Sequence, residues 1–158
     1  MADEKDLKQA QTVFNGLCAM LDELGWHYDK HPQELSIKCR ARGDDLPMDI
    51  HITVDRKRQL VTLLSAMPFA VPEDRRTALA VAISQANNGM VDGSFDFDYM
   101  SGVILFRMTS CYRESLIGKE LFEYMLMCSC YTIDEYNDKL YDVTRNGMSI
   151  EEILEYIK

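Results

Sequence analysis

The feature that most constrains this chain is a change in the rhythm of its apolar residues. Over residues 3–24, Leu7, Ala10, Phe14, Leu17, Leu21 and Leu24 recur at spacings of three and four, which places them on one stripe of a helix. Asp3 and Glu4 suit its positive N-terminus, and Gly25 suits a left-handed stop. From residue 34 the rhythm becomes two. Leu35, Ile37, Cys39 and Ala41 alternate with Ser36, Lys38, Arg40 and Arg42, as in a strand with one wet face.

The same reading carries to the end of the chain. Gly43-Asp44-Asp45 predicts a turn into a second strand over 46–54, and Asp55 to Arg58 a turn into a third over 59–66. The segment between Gly25 and Pro32 predicts a surface loop packed around Trp26. Pro72 fits the start of a second helix with Leu79, Ala82, Ile83 and Ala86 buried, stopped by Asn87-Asn88-Gly89. Phe95, Phe97 and Tyr99 alternate with acids in a fourth strand, and Ser101-Gly102 turns into a fifth over 103–109. Residues 117–144 predict one long helix with Leu121, Met125, Cys128, Thr132, Tyr136, Leu140 and Val143 on its buried stripe. Thr132 with Glu135 has the pattern of a capping box, but the stripe keeps phase across it, which favours an unbroken helix. Ser149 with Glu152 caps a short last helix that buries Ile150, Ile153, Leu154 and Ile157.

The expected fold class is therefore α+β. An antiparallel sheet carries helices packed on one face, in the order α-β-β-β-α-β-β-α plus a short C-terminal helix. The 158 residues fit one domain, 1–158, large enough to hold a core without disulfides or metal.

Charge narrows the partners. Against 17 Lys and Arg stand 26 Asp and Glu, a net charge of −9, so most of the surface repels nucleic acid. The basic runs Arg56-Lys57-Arg58 and Arg75-Arg76 are short and lack interleaved aromatics, and are expected to be a solvated turn and a solvated helix face. No stretch has the length of apolar residues that spans a membrane, and the acidic N-terminus does not read as a secretory signal. Five unpaired-looking cysteines then point to free thiols in a reducing cytoplasm.

Each chemistry-bearing group has a plainer reading. Cys128-Ser129-Cys130 on a helix sets the two sulfurs about 200° apart, unfit to grip one ion. In the run YMLMCSCY they read as adaptable filling. His27 and His31 have the spacing of helical zinc ligands but lie between Gly25 and Pro32, where a helix is not expected. Cys39 and His51 fall on opposite faces of their strands, out of reach for nucleophile and base. Cys111 stands near Arg113 with nothing further to mark it. Asp96 and Asp98 share a strand face about 6.6 Å apart, within the range of glycosidase carboxylate pairs, yet read more simply as acids that keep a strand wet. No catalytic, cofactor or metal residue is assigned.

Asn87-Asn88-Gly89, then Gly93-Ser94-Phe95 with Asp98, then Gly102-Val103-Ile104 and Arg107 resemble the bacterial YbjN family, over about residues 20–145. The order of elements is also similar to the type III secretion chaperone fold, to which that family is related. The resemblance implies a bacterial, homodimeric regulator or chaperone-like binder of protein or peptide partners, with no catalytic residues and no cofactor. The secretion chaperones are small acidic dimers that hold segments of partner proteins in extended form. A second expectation of a different class is a small-molecule sensor or enzyme, with a pocket between the sheet and the long helix shaped by Met125, Met127 and Cys128.

Overall fold

The computed structural model describes residues 2–158, with side chains from Glu4 onward. Helix α1 (Ala2–Glu23) leads into strands β1 (Tyr28–His31), β2 (Ser36–Arg42), β3 (Pro47–Asp55) and β4 (Leu60–Ala66). A single 3-10 turn over Glu73–Arg75 precedes α2 (Arg76–Gly89). Strands β5 (Ser94–Asp98) and β6 (Val103–Cys111), the long helix α3 (Lys119–Arg145) and the short α4 (Ile150–Tyr156) complete the chain.

The strands form one sheet in the order β1-β2-β3-β4-β6-β5, with every neighbouring pair antiparallel. Strands β4 and β5 both run against β6, so they are parallel to each other with β6 inserted between them. The α2 connection makes this order possible, because it carries the chain past one strand position.

Alternation along the strands decides the two faces. Ile37, Cys39, Ile50, Ile52, Val61, Leu63, Ile104, Phe106 and Met108 point inward and are buried. They meet Ala10, Val13, Phe14, Leu17 and Leu21 of α1 and Phe122, Met125, Leu126 and Ile133 of α3 in one cluster. The other face carries Lys38, Arg40, Asp49, His51, Leu64, Ala66, Leu105 and Arg107, all exposed or half-buried, with none of the described helices packed over it. The α+β class and the helices on one side of an antiparallel sheet are as expected.

Four details differ. The segment expected as a loop around Trp26 contains β1, which pairs with β2 from Tyr28↔Cys39 to His31↔Ser36. Tyr-Asp-Lys-His has no apolar alternation, so nothing in its own pattern marks a strand. Partner hydrogen bonds hold it, and the Tyr28 hydroxyl donates to Cys18 O (3.1 Å) and Asp22 Oδ1 (2.9 Å) on α1. Second, Arg75 and Arg76 are not a solvated helix face. Arg75 donates to Val143 O (3.1 and 2.8 Å), a carbonyl that the end of α3 itself leaves open, and to Met148 O (3.1 Å) in the turn between α3 and α4. Arg76 donates to Met100 O (2.9 Å) and Val71 O (3.4 Å).

Third, α3 is unbroken at Thr132 as favoured, but its buried stripe is rotated in its first half. Met125, Tyr136, Leu140 and Val143 are buried, whereas Phe122, Leu126, Ser129 and Ile133 take the places expected of Leu121, Cys128 and Thr132. Leu121 is exposed and Cys128 and Thr132 are half-buried. Fourth, α4 starts with the expected Ser149–Glu152 capping box. It buries only Ile153 and, just past its end, Ile157; Ile150 and Leu154 are exposed. A seven-residue helix has room for one seam, and Ile153 and Ile157 fill it.

Candidate protein-binding surfaces

The rotation of the α3 stripe leaves a second apolar row on the outside. Leu116 leads in at 58% exposure, followed by Leu121 (43%), Tyr124 (49%), Met127 (36%) and Tyr131 (69%). At about 100° per residue, Tyr131 stands roughly 180° from the core-facing Leu140, so it points straight away from the sheet. The row from Leu121 to Tyr131 is about 15 Å long at 1.5 Å per residue. Few soluble helices set four large apolar side chains in line toward water without a use for them. Tyr124 is the most fixed of them, because its hydroxyl donates to the Asp92 carboxylate in the α2–β5 loop. That hydrogen bond raises the phenol to about 12.

The uncovered face of the sheet is the second surface. It holds a shallow depression of about 780 Å³ lined by Lys38, Arg40, His51, Leu64, Ala66 and Leu105, among others. Leu64, Ala66 and Leu105 sit on adjacent strands and make an apolar floor. Charges of both signs flank it: Arg40 donates to both Asp49 oxygens (2.6 and 3.1 Å), and Arg107 to both Asp96 oxygens (2.6 and 3.0 Å). His51 lies within it with Nε2 buried and without a hydrogen-bond partner. Burial, then the Lys38 ammonium, hold its pKa below the usual imidazole range, so the ring is neutral at pH 7. The depression lies on the far side of the sheet from the long helix. Between sheet and helix, where the small-molecule reading expects a pocket, Met125, Leu126 and Met108 are packed in the core.

The residues weighed for chemistry are placed as follows. His27 and His31 are four residues apart on an extended segment, about 13 Å by strand rise, too far to share an ion. Cys39 is opposite Ile50 while His51 is opposite Lys38, which puts thiol and imidazole on opposite faces of the sheet. Burial pushes the Cys39 thiol up to about 12 and the Cys130 thiol up to about 11, which suppresses the thiolate. Cys111 is exposed and accepts from the Arg113 N–H (3.4 Å), while the Arg113 guanidinium turns to Gln59 Oε1 (3.3 Å). Among the described residues no His, Cys, Asp or Glu group of three has the arrangement of a metal site. No helix among them is long and apolar enough to cross a membrane.

Asp96 and Asp98 have separate structural uses. Asp96 pairs with Arg107 across the β5–β6 ladder. Asp98 ties the hairpin turn, accepting from Ser101 Oγ (2.6 Å) and the N–H groups of Met100 (3.0 Å) and Ser101 (3.4 Å). Those bonds, the Ser101 hydroxyl first, hold its carboxyl below the usual range. Asn87 acts as a short piece of strand: its Oδ1 accepts from Phe95 N–H (2.8 Å) and its Nδ2 donates to Phe95 O (2.9 Å), closing the outer edge of β5. Gly93 and Gly102 have φ of +76°, and a Cβ on either would lie 2.4 Å from the Phe106 ring or 2.5 Å from Val71 O.

Sequence reasoning singled out none of the row Leu121–Tyr124–Met127–Tyr131 as a surface. The signal was there: between residues 121 and 133 the helix has apolar residues on two opposite sides, twice as many as one core can face.

No family model matches this chain, and no curated protein matches it in sequence. Solved structures do match its fold. The crystal structure of YbjN from E. coli superposes with a TM-score of 0.60 at 15% identity, covering 81% of this chain and 89% of that one. The crystal structure of the ExsC–ExsE complex superposes with a TM-score of 0.59 at 15% identity, covering 82% of this chain and 93% of that one. The expected likeness to YbjN and to the type III secretion chaperone-like fold is thus met at the level of the fold.

Proposed function

We propose that residues 1–158 form one domain that binds another protein, chaperone-like or regulatory, working in the cytoplasm as a homodimer and without catalysing a reaction. The observation that carries this reading is the outward row of α3, where Leu121, Tyr124, Met127 and Tyr131 face water at 36% exposure or more. Large apolar and tyrosine side chains in a continuous patch are what protein interfaces use as anchors. The carboxylate pair weighed for catalysis supports it from the other side, since Asp96 is paired with Arg107 and Asp98 ties the turn of the β5–β6 hairpin. One of the solved structures that share this fold is itself a complex, ExsC with ExsE.

For the homodimer the uncovered sheet face is the suited surface. Leu64, Ala66 and Leu105 offer an apolar centre, and the Arg40–Asp49 and Arg107–Asp96 pairs flank it with both signs of charge. A second copy related by a twofold axis presents the same balanced set, so neither repels the other.

Two measurements test this reading. Light scattering should give twice the monomer mass, and Leu105→Glu should return it to the monomer. Capture from native cell extract should retain a protein that the double variant Met127→Ser/Tyr131→Ser loses while folding normally. Capture that is indifferent to the α3 row, or turnover of a small molecule by the pure chain, would sink the reading.

A further inference from the structure

The outward side of α3 is apolar in the middle and acidic at both ends. At about 100° per residue, Tyr124, Met127 and Tyr131 lie within about 60° of one another around the helix. Glu120 and Glu123 precede them on the same broad side, and Glu135, Asp138 and Asp142 follow. From Glu120 to Asp138 the row runs about 27 Å.

The cations nearby are already engaged. Lys119 pairs with Glu23 on α1, Lys139 with Glu135 (3.9 Å), and the Arg145 guanidinium lies over the Tyr141 ring (5.2 Å). At the C-terminal end the β2–β3 turn adds two more acids. The Asp44 N–H donates to both Asp134 oxygens (2.9 and 3.1 Å), which brings Asp44 and Asp45 up to the helix. The Asp45 carboxyl is pushed above the usual range, first by lost hydration and then by Asp138, Asp134 and Asp44.

This pattern selects among occupants. A second copy of α3 laid antiparallel or parallel sets carboxylates against carboxylates at both ends, because both ends carry the same sign. Nucleic acid and anionic lipid meet the same repulsion. A cationic helix with one apolar seam finds complementary charge at each end and apolar contact between them.

Resting on the reading of this chain as a protein-binding module, we propose that the outward row of α3 docks a basic amphipathic helix of a partner protein. Its apolar seam packs on Tyr124, Met127 and Tyr131, and its lysines or arginines face the acids at either end. The two tyrosines anchor, and the charges set orientation and the rate of encounter.

The probe is a synthetic helix of about five turns with leucines at i, i+3, i+4 and i+7 and lysines elsewhere. Its control has glutamates in place of the lysines. Each is titrated into the isotopically labelled full chain and followed by amide NMR shifts. The expected result is saturable binding of the lysine peptide with shifts concentrated over residues 120–138, and none with the glutamate peptide. Raising salt from about 50 to about 500 mM should weaken binding about tenfold or more, since exposed charges are screened over a few ångströms there. Met127→Ser/Tyr131→Ser should weaken it by about tenfold or more with an unchanged urea midpoint, since only apolar contact is removed. Shifts mapping elsewhere, or equal binding by the double variant, would overturn the proposal, because attraction would then be charge alone. So would a change of oligomer mass in the double variant, which would make the row a self-contact. A partner captured from extract through this row, whose contacting segment is neutral or acidic, sinks this inference and leaves the protein-binding reading standing. Loss of row-dependent capture altogether sinks that reading instead.

Discussion

The corner where α2 meets β5 and β6 and the outward side of α3 use their conspicuous residues in opposite ways. At the corner Asn87, Gly93, Asp98, Gly102 and Arg107 stand out in the sequence as the residues that carry the family resemblance, and each is consumed by the fold. Asn87 closes a strand edge, Gly93 and Gly102 permit close approach at positive φ, Asp98 ties a turn and Arg107 pairs with Asp96. On α3 the residues look like ordinary core filling, and four of them face water with little else to do. Polar residues at defined spacing can mark structure, because a buried or edge backbone group needs a hydrogen-bond partner. Apolar residues mark function when the core has no room for them.

The largest effect expected from this contrast is Gly102→Ala. A Cβ there meets a backbone oxygen at 2.5 Å in a left-handed conformation, so urea denaturation should show a loss of about 3 kcal/mol. Asn87→Ala should remove about 2 kcal/mol by leaving the Phe95 N–H and C=O unpaired, and should raise aggregation at the freed β5 edge. Asn87→Asp, which keeps the acceptor and loses the donor, should fall between the variant and the parent.

A smaller effect is expected with pH. The Asp98 carboxyl is held down in the folded chain, chiefly by the Ser101 hydroxyl, so its contribution is present above the unfolded carboxylate range and lost as pH falls through the folded value. Asp98→Asn should lower stability near neutrality, where the carboxylate contributes, and flatten the profile below about pH 4, where the parent has lost that contribution too. Smallest of all, Tyr131→Ser should move stability by no more than about 0.5 kcal/mol, since its side chain packs on nothing that folding needs. If Tyr131→Ser instead destabilised the chain as Asn87→Ala does, the distinction between the two regions would collapse.

Much of the fold was legible. Period-two alternation located β2, β3 and β5, turn signals before apolar runs located β4 and β6, and period 3.6 located α1, α2 and α3, because burial on one face writes itself into the spacing of apolar residues. The Ser149–Glu152 capping box located α4 because it is local chemistry. Strand β1 was not legible: its stability comes from hydrogen bonds to β2, and its four residues carry no buried face. The α3 stripe was half legible for a related reason. Met125, Tyr136, Leu140 and Val143 sit on the core side, but with apolar residues all around its first half, spacing alone does not say whether Leu121 or Phe122 faces in. The candidate surface was therefore visible as composition and invisible as location.

By itself the sequence determined the class of the fold, the number of helices, the faces of three strands and the sign of the surface charge. These follow from short-range periodicity, turn chemistry and composition. Tertiary structure alone decided the strand order with β6 between β4 and β5, the clamp of Arg75 on the end of α3, and which side of α3 is left to water. Each of those depends on contacts between segments far apart in the chain, whose energies no local pattern encodes.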